Sequence, residues 1–283
     1  MRRAQRATTV GTLAGALLLL AVTGCSDSTD PSGGSTVLSA AETSDIGAAE
    51  GDEVDQSIEA MEVDGTSRWQ CATVDNTTDT DGDGAPDHAT FTFALPACSF
   101  SGFRGGGLEV TGTIALSDPT PTSLDFAFQA TLTDLQFMFT SPNASLSYTA
   151  LRNGTRVLTG NAAGASLSNT ITVVRTWPAR PATTVSHNLL LSFTPASGES
   201  LALGQPLPNG TFTRSGTFIW SRAGASRTFT VTTVEPLVWD ASCTTDRKIV
   251  SGETRATLSD GSYVRTVWSG CGSDPTRTFV PAA

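Results

Sequence analysis

Leu108-Glu109-Val110-Thr111-Gly112-Thr113-Ile114 alternates apolar residues or glycine with polar ones, so an extended backbone there has one dry face and one wet face. Thr170-Ile171-Thr172-Val173 and Phe229-Thr230-Val231-Thr232 repeat the pattern. Threonine is the favoured outward residue. Its branched β-carbon suits an extended chain and its hydroxyl meets water without adding charge. Asn153-Gly154, Ala223-Gly224-Ala225 and Asp260-Gly261 each interrupt such runs and read as hairpin turns. About ten to twelve strands joined mainly by hairpins, with no helical crossovers, predict a mainly β fold over residues 66–283, an antiparallel up-and-down meander. A sheet of that size hides its edges by closing or curling, so the expected form is a barrel or half-barrel. A two-sheet β-sandwich is the alternative.

Upstream the period changes. Between residues 44 and 65, Ile46, Val54, Ile58 and Met61 recur near helical spacing among Asp45, Glu50, Asp52, Glu53, Asp55, Glu59 and Glu62. This predicts one acidic amphipathic helix covering the open face or mouth of the sheet. Charge follows the same division. Of 27 acids, 16 lie between Asp27 and Asp87 with Arg68 as the only Lys or Arg, whereas from Phe91 onward 13 basic residues face 11 acids. A single lysine, Lys248, and no basic stripe disfavour nucleic-acid binding, which depends on clustered cations.

The chain starts Met1-Arg2-Arg3-Ala4-Gln5-Arg6, followed by an apolar run from Val10 to Val22. That run of about thirteen residues fits an export signal and is shorter than the roughly 20 needed to span a bilayer. It ends in Val22-Thr23-Gly24-Cys25, which resembles the lipobox of bacterial lipoproteins. The resemblance implies a signal peptide over 1–24, removal of that segment, and diacylglycerol on the Cys25 thiol, giving a membrane anchor in the cell envelope. In the same family an Asp directly after the lipidated Cys favours inner-membrane retention; Ser26 stands there, which favours the outer membrane. Ser26-Asp27-Ser28-Thr29-Asp30-Pro31-Ser32-Gly33-Gly34-Ser35 has no large apolar residue and reads as part of a flexible tether over 25–43, with a reach on the order of 18 Å for ten residues.

Removing Cys25 leaves Cys71, Cys98, Cys243 and Cys271, an even number in an exported chain where disulfides persist. Three connectivities are open. Cys71–Cys98 with Cys243–Cys271 is preferred because each pair lies within one local stretch of chain.

Asp79-Thr80-Asp81-Gly82-Asp83-Gly84-Ala85-Pro86-Asp87 sets acids at alternate positions ahead of a glycine that permits a sharp turn, a density of hard oxygens suited to calcium. The stretch resembles thrombospondin type 3 loops and the first nine positions of an EF-hand. On that resemblance Asp79, Asp81, Asp83 and Asp87 supply side chains and Ala85 a carbonyl. The twelfth position is Thr90 rather than a bidentate Glu, and a strand from His88 to Leu95 follows instead of a helix. These departures point to weak binding, roughly 10⁻⁴ to 10⁻³ M, with a structural role.

Catalytic signatures are sparse. His88 and His187 are the two histidines, and the chain has no HExxH, Gly-x-Ser-x-Gly, phosphate loop or CxxC. Arg104-Gly105-Gly106-Gly107 lacks the strand–loop–helix context of a phosphate loop and reads as a turn. Asp125, Asp134, Glu199, Glu235 and Asp240 could supply a hydrolytic carboxylate pair, and Trp69, Trp177, Trp220, Trp239 and Trp268 could line a sugar or lipid site or pack in the core. The leading expectation is a non-catalytic envelope lipoprotein with a structural or partner-binding β-domain. Its rivals are a carrier of a hydrophobic ligand in a half-barrel and a hydrolase.

Overall fold

The computed structural model describes residues 38–61, 71–75, 78–83, 85–103, 106–123, 125–142, 147–202, 205–245 and 247–282. The export signal, Cys25, the tether up to residue 37, Trp69 and the Arg104-Gly105 pair lie outside them.

Among the described residues, one helix, α1 (Ala40–Met61), precedes thirteen strands: β1 (Thr73–Asp75), β2 (His88–Phe93), β3 (Ser99–Phe103), β4 (Gly106–Ser117), β5 (Ala127–Thr140), β6 (Tyr148–Asn161), β7 (Gly164–Trp177), β8 (Arg180–Pro195), β9 (Gly210–Arg222), β10 (Ala225–Trp239), β11 (Ile249–Thr257), β12 (Tyr263–Ser269) and β13 (Thr276–Val280). They form one antiparallel sheet in sequence order, with β3 as a side branch on β4 and β1 and β13 as its two edges. The sheet is therefore a curled half-barrel, not a closed barrel, and its continuity sets aside the two-sheet sandwich.

Alternation decides which residues point inward. Along β7, Ala165, Leu167, Asn169, Ile171, Val173 and Arg175 are buried; along β8, Val185, His187, Leu189, Leu191 and Phe193 are. The opposite face carries hydroxyl pairs across strands, Thr172–Ser186 at 3.1 Å and Ser166–Ser192 at 3.2 Å, as the outward threonines led one to expect. Among the inward groups are Phe212, Phe218, Trp220, Phe229 and Trp239, so the sheet has a deep apolar floor.

α1 lies on that inward face. Leu38, Ile46 and Ala49 pack with Phe218, Trp220, Phe229 and Val264, while Val54 and Ile58 join the neighbouring cluster of Leu132, Leu158, Leu167 and Phe193. Burying each large aliphatic side chain contributes roughly 1.5–3 kcal/mol. The helix starts earlier than its apolar periodicity suggests. Ser39 and Glu42 form a capping box: the Glu42 N–H donates to Ser39 Oγ at 3.2 Å, and the Ser39 N–H donates to Glu42 Oε2 at 2.9 Å. Residues 38–43 thus belong to the domain rather than the tether, and Met61 closes the helix four residues before the expected end. Among the described residues no helix is long and apolar enough to cross a membrane.

Two of the three expected turns hold: Ala223-Gly224 joins β9 to β10, and Asp260-Gly261 joins β11 to β12. Asn153-Gly154 does not turn. It sits inside β6, paired in unbroken register with Thr172 and Ile171 of β7. On the other side the ladder between β5 and β6 slips between Leu132 and Leu135, where Asp134 takes a φ of 47° and its N–H donates to Asn153 Oδ1 at 2.7 Å. Gly154 has φ 136°, and a side chain there would meet the Thr170 carbonyl at 2.1 Å. The pair therefore builds a bulge that bends the sheet, a different use of the same conformational freedom.

Both preferred disulfides form. Cys71–Cys98 has Cα atoms 5.0 Å apart and braces the β1–β3 end; Cys243–Cys271, at 5.8 Å, ties the loops after β10 and β12.

Candidate functional site

Two places concentrate charge, one beneath the helix and one at the sheet edge. Beneath the helix, the inward positions of β6 to β10 carry Arg152, Arg156, Arg175, His187, Arg214, Arg222 and Arg227 among apolar neighbours. The acidic helix meets them. Glu42 lies 3.6 Å from Arg227, and Asp45 binds Arg222 at 2.8 Å and Arg180 at 3.5 Å. Deeper, Glu53 is 2% exposed, with Arg156 at 3.4 Å and His187 Nε2 at 4.0 Å. Ser57 donates to Glu53 at 3.3 Å and accepts from Asn169 at 2.7 Å.

Burial by itself would raise the Glu53 pKa, but the charges of Arg156, of His187 when it is protonated, and of Arg152 and Arg214 outweigh it and hold the carboxyl below its usual range. His187 goes the other way. Burial, reinforced by Arg214, Arg175 and Arg156 and opposed by Glu53, lowers it to about 4. At neutral pH it is an uncharged imidazole and the arginines balance Glu53. Its Nδ1 and the Asn169 Oδ1 are buried without a hydrogen-bond partner. The sequence had marked His187 only as an isolated histidine; no local motif announces a pairing between residues 134 positions apart.

At the sheet edge, the loop of residues 78–87 connects β1 to β2. The Asp87 N–H donates to the Thr78 carbonyl at 2.7 Å, and Asp87 Oδ1 and Oδ2 accept from the Thr80 N–H and hydroxyl at 3.1 and 2.5 Å. Asp87 therefore closes the mouth of the loop. Within it, one oxygen of each remaining acid caps a backbone N–H: Asp79 that of Gly82, Asp81 that of Asp83, and Asp83 that of Ala85, at 2.8, 3.2 and 2.7 Å. Ala85 is buried and joins the core. One oxygen from each of Asp79, Asp81 and Asp83 lies within 4.8 Å of the others, a span that suits shared oxygen ligands at calcium distances. An Asp triad able to hold a metal is thus assembled.

Sequence reading missed a fourth acid. The β2–β4 register pairs His88 with Ser117, which carries Asp118 beside Asp87, and the Asp118 N–H donates to the Asp87 carbonyl at 3.2 Å. Asp118 is 7% exposed, its Oδ1 accepts from the Thr120 N–H and hydroxyl, and its Oδ2 has no partner. Asp81 Oδ2 and Asp83 Oδ2 are also buried without partners. Burial first, then the charges of Asp81, Asp118 and Asp79, raise the Asp83 pKa against the opposing Ala85 hydrogen bond. The signal for Asp118 is a single acid at a strand end, invisible without the pairing.

The other candidates are dispersed. Asp134 bonds Asn153, Glu199 accepts from Asn209, and Asp240 accepts from Ser242; Asp125 and Glu235 are exposed on separate elements. Trp220, Trp239 and Trp268 are buried in the core, and Trp177 lies under the Arg180 guanidinium at 3.9 Å. His88 is exposed at the start of β2. The chain has no significant match among protein-family models, curated proteins or solved structures.

Proposed function

We propose that the chain is an exported lipoprotein, anchored through Cys25 to an envelope membrane (the outer one where the host has two), and that its half-barrel is a non-catalytic domain binding or bracing another envelope component. The observation that carries this reading is the occupant of the half-barrel. The inward face is filled by the chain's own helix, whose Glu53 is buried among cations of the floor. Two local disulfides suit an oxidising compartment. The Asp79-Asp81-Asp83 triad takes calcium, since three carboxylates offer hard, flexible oxygen ligands. Feeding expressing cells an alkyne fatty acid tests the anchor: wild type should carry the label and Cys25→Ser should not, whereas equal labelling of both would sink it.

One observation favours a carrier as the second reading. The floor beneath the helix is cationic within apolar walls, chemistry that would accept an anionic amphiphile if the helix swung out. Native mass spectrometry of wild type and a Glu53→Ala variant addresses it. A copurified lipid, more abundant in the variant, supports the carrier; none in either removes it.

A further inference from the structure

Three carboxylate oxygens at the sheet edge are buried and accept no hydrogen bond: Asp81 Oδ2, Asp83 Oδ2 and Asp118 Oδ2. Each belongs to an acid whose other oxygen caps a backbone N–H, so the orphans are held in place rather than free to rotate outward. A buried, unpaired carboxylate oxygen is expensive, and three near one another add mutual repulsion. Among the described residues, the groups that face the cluster do not relieve it. Asp87 is acidic and spent on Thr80, Ala85 contributes an apolar wall, and the charges bearing on Asp83 are those of Asp81, Asp118 and Asp79. An arrangement of this kind is stable when a cation supplies what the protein leaves out.

We propose that Asp118, at the end of β4, completes a calcium site with Asp79, Asp81 and Asp83, so that the ion clamps the β1–β2 loop to the far end of the neighbouring strand. This rests on the calcium reading of the loop and extends it in two ways. Asp118 lies outside the nine-residue motif, 31 positions beyond Asp87, and it enters only because β2 and β4 pair. It is not one of the compact trio but bears electrostatically on Asp83, so it adds a further negative charge to the site, and ligand charge count tunes calcium affinity. Calcium is preferred over magnesium because the oxygens are spread over a loop and a strand end. Such a set tolerates irregular, higher coordination better than a strict octahedron. The clamp has a structural consequence. The edge of the sheet from β1 to β4 is held by the Cys71–Cys98 bridge on one side and by the ion on the other, and calcium should stiffen the loop where it meets Asp118.

Thermal unfolding of the full chain, purified from membranes in detergent, tests this with calcium, magnesium or a chelator present. At 10 mM calcium the wild type should melt roughly 3–8 °C higher than in chelator, as expected of a site with a Kd of 10⁻⁴ to 10⁻³ M, and magnesium should do less. Asp118→Asn keeps the acceptor for Thr120 but removes the charge. It should melt at or above wild type in chelator and need at least tenfold more calcium for the same rise. Asp81→Asn should lose the response, and Asp125→Asn, on an exposed bend, should keep it. A wild type indifferent to 10 mM calcium removes both the loop reading and this one. An Asp118→Asn protein that answers calcium like wild type, while Asp81→Asn does not, leaves the loop reading standing and overturns the role of Asp118. Melting of Asp118→Asn well below wild type in chelator would also overturn it, because the charge would then be supporting the fold unaided.

Discussion

The groove beneath α1 and the loop before β2 both bury carboxylates, and they treat them in opposite ways. Glu53 is surrounded by Arg152, Arg156 and Arg214, which hold it ionised; Asp83 is surrounded by Asp79, Asp81 and Asp118, which push it towards protonation. At the first site the chain itself supplies the counter-charges of the carboxylate. The second is complete only with something added. Glu53 is fully buried and Asp83 only partly so, yet burial raises the pKa of both, and the sign of the neighbouring charges decides which way each carboxyl finally shifts.

Replacing Glu53 with Ala should have the largest effect. It leaves the buried arginines without their counter-charge and should lower stability in chemical denaturation by about 3–5 kcal/mol. A loss under about 1 kcal/mol would mean that the helix is held by apolar packing alone, and the contrast would fall. Acid titration separates the two sites by sign. His187 has its pKa lowered from 6.5 to about 4 in the fold, so between those values the unfolded chain binds the proton that the folded chain refuses. Stability present above pH 6.5 should therefore drain away as pH falls towards 4, by about 3 kcal/mol, and Glu53, also lowered, adds to the loss below its ordinary range. His187→Asn should flatten this slope, and a slope as steep as that of wild type would count against it. Asp83, being raised, contributes the reverse: its cost is present at neutral pH and disappears as pH falls through its folded pKa.

Smaller changes sharpen the comparison at its ends. Ser39→Ala removes the cap that starts α1 and should cost about 1 kcal/mol, with faster amide exchange confined to the first turn. Asp83→Asn in chelator should be neutral or stabilising by under about 1 kcal/mol, the opposite sign to Glu53→Ala. A clear loss there would show that the loop needs its charge for reasons other than a cation.

Much of the fold was legible because period-2 alternation is local. A strand's face is set by neighbours two residues away, so Leu108–Ile114, Thr170–Val173 and Phe229–Thr232 all lie in strands of the meander, and short cysteine spacing favoured, among three connectivities, the pairing that forms. Asn153-Gly154 misled for a physical reason. Asn and Gly supply permissive φ values, and the chain can spend them on a turn or on a bulge; the unbroken pairing of β6 with β7 chose the bulge. The helix start was readable in Ser39-Ala40-Ala41-Glu42, but hydrophobic spacing, which begins only at Ile46, drew the boundary inward.

By itself, then, the sequence determined the β-meander, the acidic helix and an Asp-rich loop and favoured one cysteine pairing, all of which depend on residues close in the chain. Tertiary structure decided that the sheet stays open, that the helix occupies its inward face, and that Glu42, Asp45 and Glu53 of the helix meet arginines of the sheet. It also decided which acids meet. Glu53 and His187, or Asp83 and Asp118, are joined only by strand pairing and helix docking, and electrostatic interactions follow distance in space, whatever the separation in sequence.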